Sequence, residues 1–183
     1  MANVCIQTPR LILRAWEERD LDPFAAMCAD PLVMATLGPV MDRDATAELI
    51  SRVNAIQDQH GFTAWAMERR ADGQFLGWCG LIPGTIPPID GKVEIGWRLA
   101  HHAWGQGYAR EGALAALDWA FAHLPDDRIW AITAATNHRS WGLMARLGMT
   151  RHHDLDFDHP RVPDGSPLKP HVTYSIANSI SKA

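Results

Sequence analysis

A chain of 183 residues that is 47% hydrophobic and 21% charged is long enough to bury one core and too short for two comfortable ones. Its formal charge of -4 is spread without long runs, which argues against a nucleic-acid or membrane surface. Three cysteines without paired spacing, no basic-then-apolar leader and no apolar run of membrane-spanning length together point to a cytoplasmic chain with reduced thiols.

The elements follow in order. Arg10 to Arg14 alternates as a first strand, and Glu18 to Ala29 and Asp44 to Gln59 carry helical spacing, the latter after the capping candidate Asp42. Phe62 to Glu68 and Gln74 to Ile82 read as a hairpin around the Asp-Gly turn at 71–73. Pro83 to Gly91, with three prolines and two glycines, reads as a flexible connection. A strand over 93–100, a helix from about 107 to 123, a strand at 129–135, a helix at 138–147 and strands near 149–157 and 171–177 complete the chain. The expected fold is α/β: one domain over 1–183 (core about 8–178), with a mixed, mostly antiparallel sheet of about seven strands and helices on both faces.

The junction of the 93–100 strand with the following helix carries the chemistry. Trp104-Gly105-Gln106-Gly107-Tyr108-Ala109 places two glycines before an alanine-rich helix, whose first N–H groups have no intrahelical partner and carry partial positive charge. Glycine there lets main chain approach an anion that a Cβ would hold off. A Walker loop fails, because Gly112 is followed by Ala113-Leu114 rather than Lys and Ser or Thr. A Rossmann fingerprint fails at Arg110, where its third glycine would stand, and a nucleotide-binding oxidoreductase is disfavoured with it. In the helix, Leu114, Leu117 and Phe121 form an apolar stripe, and Ala113, Ala116 and Ala120 allow close approach to the sheet. Glu111 in the first turn reads as dipole electrostatics in preference to a ligand contact.

Trp104 to Ala109 resembles the pyrophosphate signature of the GNAT superfamily of acyl-CoA N-acyltransferases, Gln/Arg-x-x-Gly-x-Gly/Ala, with Gly107 and Ala109 matching and Trp104 departing at the first position. That departure resembles the branch of ribosomal-protein N-terminal acetyltransferases (RimJ/RimL-like). Asn137-His138-Arg139-Ser140 through Leu147-Gly148-Met149 resembles the branch's second CoA motif. The opening Thr8 to Arg14 and the closing Phe157 to Pro160 with His171 to Tyr174 are similar to it as well. The resemblance runs from about Thr8 to about Ile176.

It implies an enzyme that moves the acetyl group of acetyl-CoA, without a metal, to a primary amine in a ternary complex. It assigns Trp104, Gly105, Gln106, Gly107, Tyr108, Ala109 and Arg110 to the pyrophosphate. The backbone of Trp97, Arg98 and Leu99 would face the acyl carbonyl and pantetheine arm, stabilising the oxyanion. Gly96 marks either a β-bulge that frees those donors or an ordinary strand glycine.

Glu94 shares a strand face with Gly96 and Arg98 in an otherwise apolar segment; it reads as the general base, directly or through water, or else as a salt-bridge partner of Arg98. Asn137 is an adequate N-cap and, by resemblance, a ligand of the pantetheine amides. Ser140 stands by resemblance near the sulfur as a proton donor, because the Tyr usual seven residues after this Asn is Met144 here. A thiolate with pKa near ~8.5 also leaves unaided.

The run from His152 to His159 reads as a solvated edge strand with Asp154, Asp156 and Asp158 on one face, rather than a metal site. Asp158 and His159, together with Trp65, are candidates for acceptor contact. The acceptor is a protein N-terminal α-amine or a small amine of aminoglycoside or polyamine type, and a homodimer is kept open. A catalytically silent acyl-CoA-binding sensor stands as the alternative, on the strength of Met144.

Overall fold

The computed structural model describes residues 5–178. Nine strands form one sheet: β1 (Ile6–Gln7), β2 (Leu11–Arg14), β3 (Ala64–Arg69), β4 (Phe75–Pro83), β5 (Val93–Leu99), β6 (Arg128–Ala134), β7 (Thr150–Arg151), β8 (Phe157–Asp158) and β9 (Pro170–Ala177). Their order is β1-β2-β3-β4-β5-β6-β9-β7, with β8 pairing β9. Every pair is antiparallel except β5 with β6. Five helices complete it: α1 (Leu21–Ala29), α2 (Pro31–Met34), α3 (Arg43–His60), α4 (Tyr108–His123) and α5 (His138–Arg146).

Local chemistry sets the boundaries. Asp42 caps α3 by accepting from the Ala45 amide at 2.8 Å, and Gly61 ends it in the left-handed region at φ 76°. Asp30 caps α2, with Pro31 in its first turn. Period-two alternation in β5 sends Val93, Ile95 and Leu99 into the core beside α4, while Glu94, Gly96 and Arg98 face the other side. The alanines of α4 do bring it close: Ala113, Ala116 and Ala120 are fully buried, whereas Leu114 and Phe121 lie only partly buried on its flanks. Gly112 adds to this, since a Cβ there would stand 3.3 Å from Met67 Cε. Buried side chains of α4 and α5 fill one core cluster, and those of α1 to α3 fill a second with Ala64, Ala66 and Phe75.

Four expectations are corrected. The strand expected at 149–157 is broken by a 3-10 turn over His153–Leu155 into β7 and β8, and with the short β1 this raises the count from about seven to nine. Asp156 is drawn inward there, bonded to Arg151 at 2.6 Å and to the Thr173 amide at 3.3 Å, so the aspartates do not line one solvated face. The connection from Pro83 to Gly91 is ordered: Ile89 is fully buried, and the Gly84 amide donates to the Lys92 carbonyl at 2.7 Å. The segment at 18–20 is a 3-10 turn rather than the start of α1.

Candidate active site

The parallel pair is where the sheet opens. β4 and β5 keep register over all seven residues of β5, and β6 and β9 do so from Arg128 to Ala134, yet β5 touches β6 at one rung, Glu94 opposite Trp130. Beyond that rung the two strands part. Alternate amides of Ile95 to Leu99 therefore face a wedge instead of a neighbour. No bulge causes it, because the β4–β5 ladder runs unshifted through Gly96 opposite Gly80. Gly96 answers to packing: a Cβ would lie 3.1 Å from the Trp78 ring.

Two helices begin at the open end of the wedge. Gly105 and Gly107 lie in the left-handed region at φ 72° and 82°, and Gly107 stands as the N-cap of α4. The first intrahelical bond runs from the Glu111 amide to the Gly107 carbonyl at 3.0 Å, so the Tyr108, Ala109 and Arg110 amides precede it without helical partners. This is a main-chain donor set at a helix N-terminus, preceded by the exposed Gly105, Gln106 and Gly107, and its residues fit a diphosphate.

Side chains brace the loop. Arg10 donates to Glu111 at 2.6 Å and to the Gln106 carbonyl at 2.9 Å, and stacks over Tyr108 at 4.7 Å. Thr8 also donates to Glu111 at 2.6 Å; burial alone would raise that carboxyl's pKa, but these donors hold it below the usual value. Glu111 is thus the anchor of the N-terminal segment, and Arg10 is a site residue that the sequence reading did not single out. A cleft of about 400 Å³ lined by Arg10, Arg69, Arg70 and Tyr108 lies beside this brace, apart from the wedge.

On the α5 side, Asn137 accepts from the Ser140 amide at 3.2 Å and donates to Thr133 Oγ1 at 3.1 Å. The cap is formed, and one N–H and one lone pair remain available. The Ser140 hydroxyl is half-buried with no hydrogen-bond partner among the described residues. Met144 is buried in the core. Trp104 donates to the Leu99 carbonyl at 2.8 Å, and Arg139 lies over its ring at 4.4 Å, joining the two motif segments.

Glu94 stands at the vertex of the wedge. It is half-buried, forms no hydrogen bond or ion pair among the described residues, and burial pushes its carboxyl up to about 8. The alternative partner is elsewhere: Arg98 Nη1 points to Cys28 Sγ at 3.3 Å, on α1. Trp65 is fully buried, donates to Gln57 and packs edge-on to Trp119 at 5.1 Å, which removes it from acceptor contact. Asp158 is exposed on β8, and the His159 ring lies tilted against that of His171 at 4.7 Å, with its pKa lowered by burial and by neighbouring positive groups. Among the described residues no group of three His, Cys, Asp or Glu is placed to hold a metal, and no helix is long and apolar enough to cross a membrane.

Residues 10–150 match the model of the Acetyltransferase (GNAT) domain. The chain belongs to the GNAT acetyltransferase family. It is 32% identical over 149 residues to the uncharacterized protein YkkB of Bacillus subtilis, covering 81% of this chain and 86% of that protein. It is 30% identical over 185 residues to FsC-acetyl coenzyme A-N(2)-transacetylase of Aspergillus fumigatus, covering 96% and 77%. The ribosomal-protein-S5-alanine acetyltransferase of Vibrio fischeri shares the fold with a TM-score of 0.76 at 16% identity, covering 98% and 100%. Membership makes this GNAT chain an acyl-CoA-dependent acetyltransferase.

Proposed function

We propose that the chain acetylates a primary amine by direct attack in a ternary complex, with Glu94 as the base that takes the amine proton, directly or through a water. The observation that carries this is an unpartnered carboxyl at the one rung joining β5 and β6, pushed up to about 8 by burial. A base with that value is matched to an α-amine near ~8 better than to a lysine near ~10.4, so a protein or peptide N-terminus is the favoured acceptor. The S5-alanine enzyme of the same fold, whose name gives a ribosomal-protein alanine, agrees with that class.

The free amides of β5 over 97–99 hold the acyl end, and those of Gly105 to Arg110 hold the diphosphate, with Asn137 and Ser140 on the opposite wall. Acetyl-CoA supplies the activated acyl group; nothing in these roles calls for a metal. Ser140, hydroxyl free, is the proton donor available where Met144 replaces the family's Tyr.

Buried Met144 also favours one second reading, a silent acyl-CoA sensor. Thiol release from acetyl-CoA, measured across N-terminal peptides and small amines, separates the two. Turnover is expected with at least one peptide, and CoA at a hundredfold excess over its Kd should stabilise the fold by about 2.7 kcal/mol in a thermal-shift measurement. Stabilisation without thiol release on any amine would leave the sensor; no stabilisation at all would remove the diphosphate site.

A further inference from the structure

Arg98 has no anionic partner among the described residues. Among the described residues no carboxylate comes within 4.0 Å of its guanidinium. Nη1 meets only Cys28 Sγ, a weak acceptor, at 3.3 Å, while Nε is buried without any hydrogen bond. Nη2 is neither hydrogen-bonded nor among the buried unpartnered atoms, so solvent reaches it. Nη2 is therefore the donor open to an incoming carboxylate through a charge-assisted hydrogen bond, while the buried Nε stays unsatisfied. A cation in this state, half-buried against the second core cluster, is costly unless it acquires a partner.

Its position says which partner. Arg98 shares its strand face with Glu94, four residues along β5, a Cα separation of roughly 13 Å at about 3.3 Å per residue. Between them lies Gly96, whose missing side chain is replaced by the Trp78 ring, 3.1 Å from where its Cβ would be. Base, apolar floor and guanidinium thus follow one another along one line. The helix behind the diphosphate loop, α4, packs against the opposite face of β5, that of Val93, Ile95 and Leu99, so Arg98 does not share a face with it.

We infer that Arg98 is a specificity-determining residue that binds a carboxylate on the acceptor, so that this acetyltransferase selects amines carrying an acidic group a short distance from the nucleophile. The inference rests on Glu94 being the base of the proposed reaction. In an extended peptide, residues two and three lie roughly 3.5 to 7 Å from the first Cα, and an acidic side chain bridges the remaining gap to a long arginine. The acceptor chemistry is an α-amine followed by Glu or Asp within two residues.

The test uses Ala-Glu-Glu-Phe-amide against Ala-Gln-Gln-Phe-amide, and 6-aminohexanoate against hexylamine to tell peptide from small-molecule acceptors. Wild type is expected to favour the acidic peptide by about tenfold or more in kcat/KM, the range of one charge-assisted pair. In Arg98→Gln that ratio should fall to near one, and Arg98→Lys should restore part of it. The ratio within each variant cancels any general loss of fold or CoA binding. A wild-type ratio near one for both pairs overturns the inference, as does a ratio that survives Arg98→Gln. Calorimetry of the same peptides against the CoA complex covers failure of turnover. Tighter binding of the acidic peptide that Arg98→Gln abolishes would uphold the anionic subsite while the acyl-transfer reading fell. Equal binding of both peptides would remove the subsite.

Discussion

The two ends of the wedge are built from different materials. At the cofactor end the ligand-facing groups are amides of Gly105 to Arg110, and two of the nearby cations are already engaged: Arg10 with Glu111 and Gln106, Arg139 with the Trp104 ring. At the proposed acceptor end the groups are side chains, Glu94 and Arg98, and neither has a charged partner among the described residues. A diphosphate needs fixed donors, which a braced main chain supplies. An acceptor must be deprotonated and chosen, which calls for groups whose charge is still unspent.

That contrast predicts separable losses. Glu94→Gln keeps the size and reach of the side chain and removes the base, so turnover near neutral pH should fall by roughly 10²-fold while the CoA Kd stays put. The wild-type rate should climb with pH and level off near the value of about 8 that burial imposes on Glu94, whereas the variant should keep only the rise that comes from the amine's own deprotonation, so that its deficit shrinks as pH approaches the amine pKa. Steady-state kinetics with a peptide acceptor, beside CoA titration, checks both. Parallel losses of CoA binding and turnover would mean that Glu94 holds the β5–β6 rung rather than moving a proton.

Gly107→Val attacks the other end. At φ 82° a β-branched residue is strained, and its Cβ would stand 3.4 Å from Arg10 Nη2, the brace of the loop. CoA affinity should drop by about tenfold or more, with roughly 1–2 kcal/mol lost from stability at the left-handed position. A normal CoA Kd by calorimetry would move the diphosphate site off this loop.

Why one end was legible in the sequence and the other less so follows from the same difference. Gly105, Gly107 and the helix behind them are neighbours in the chain, so a main-chain site leaves a local spacing. Asp42 and Asn137 were readable as caps for the same reason, and both caps form. Arg10 meets Glu111 across 101 positions, and no local pattern announces that brace. Trp65 shows the converse: an aromatic on a strand has two faces to choose from, and only the packing of Trp119 and Gln57 decides that it is core. Period two placed Glu94 and Arg98 on one face, yet whether they pair was settled by Cys28 on a distant helix drawing the guanidinium away. The short α2 was readable in principle, from Asp30 and Pro31 as cap and first turn.

The smallest effect tests whether Glu94 is as isolated as its surroundings make it. A carboxyl whose folded pKa is raised from the ordinary value to about 8 binds its proton more tightly in the fold than in the unfolded chain. Between about 4.5 and about 8 the native state holds that proton while the unfolded state releases it, so stability falls as pH rises through this window and levels off above it. Glu94→Gln removes the titration. The variant should match wild type near pH 4.5 and exceed it above pH 8, by on the order of 1 kcal/mol once solvent contact of the half-buried group is allowed for, or about 2–4 °C in Tm. Chemical denaturation across that pH range reads the difference directly. If the two curves stay parallel, Glu94 already has a partner that keeps its ordinary pKa, and the acceptor end would then be braced like the cofactor end.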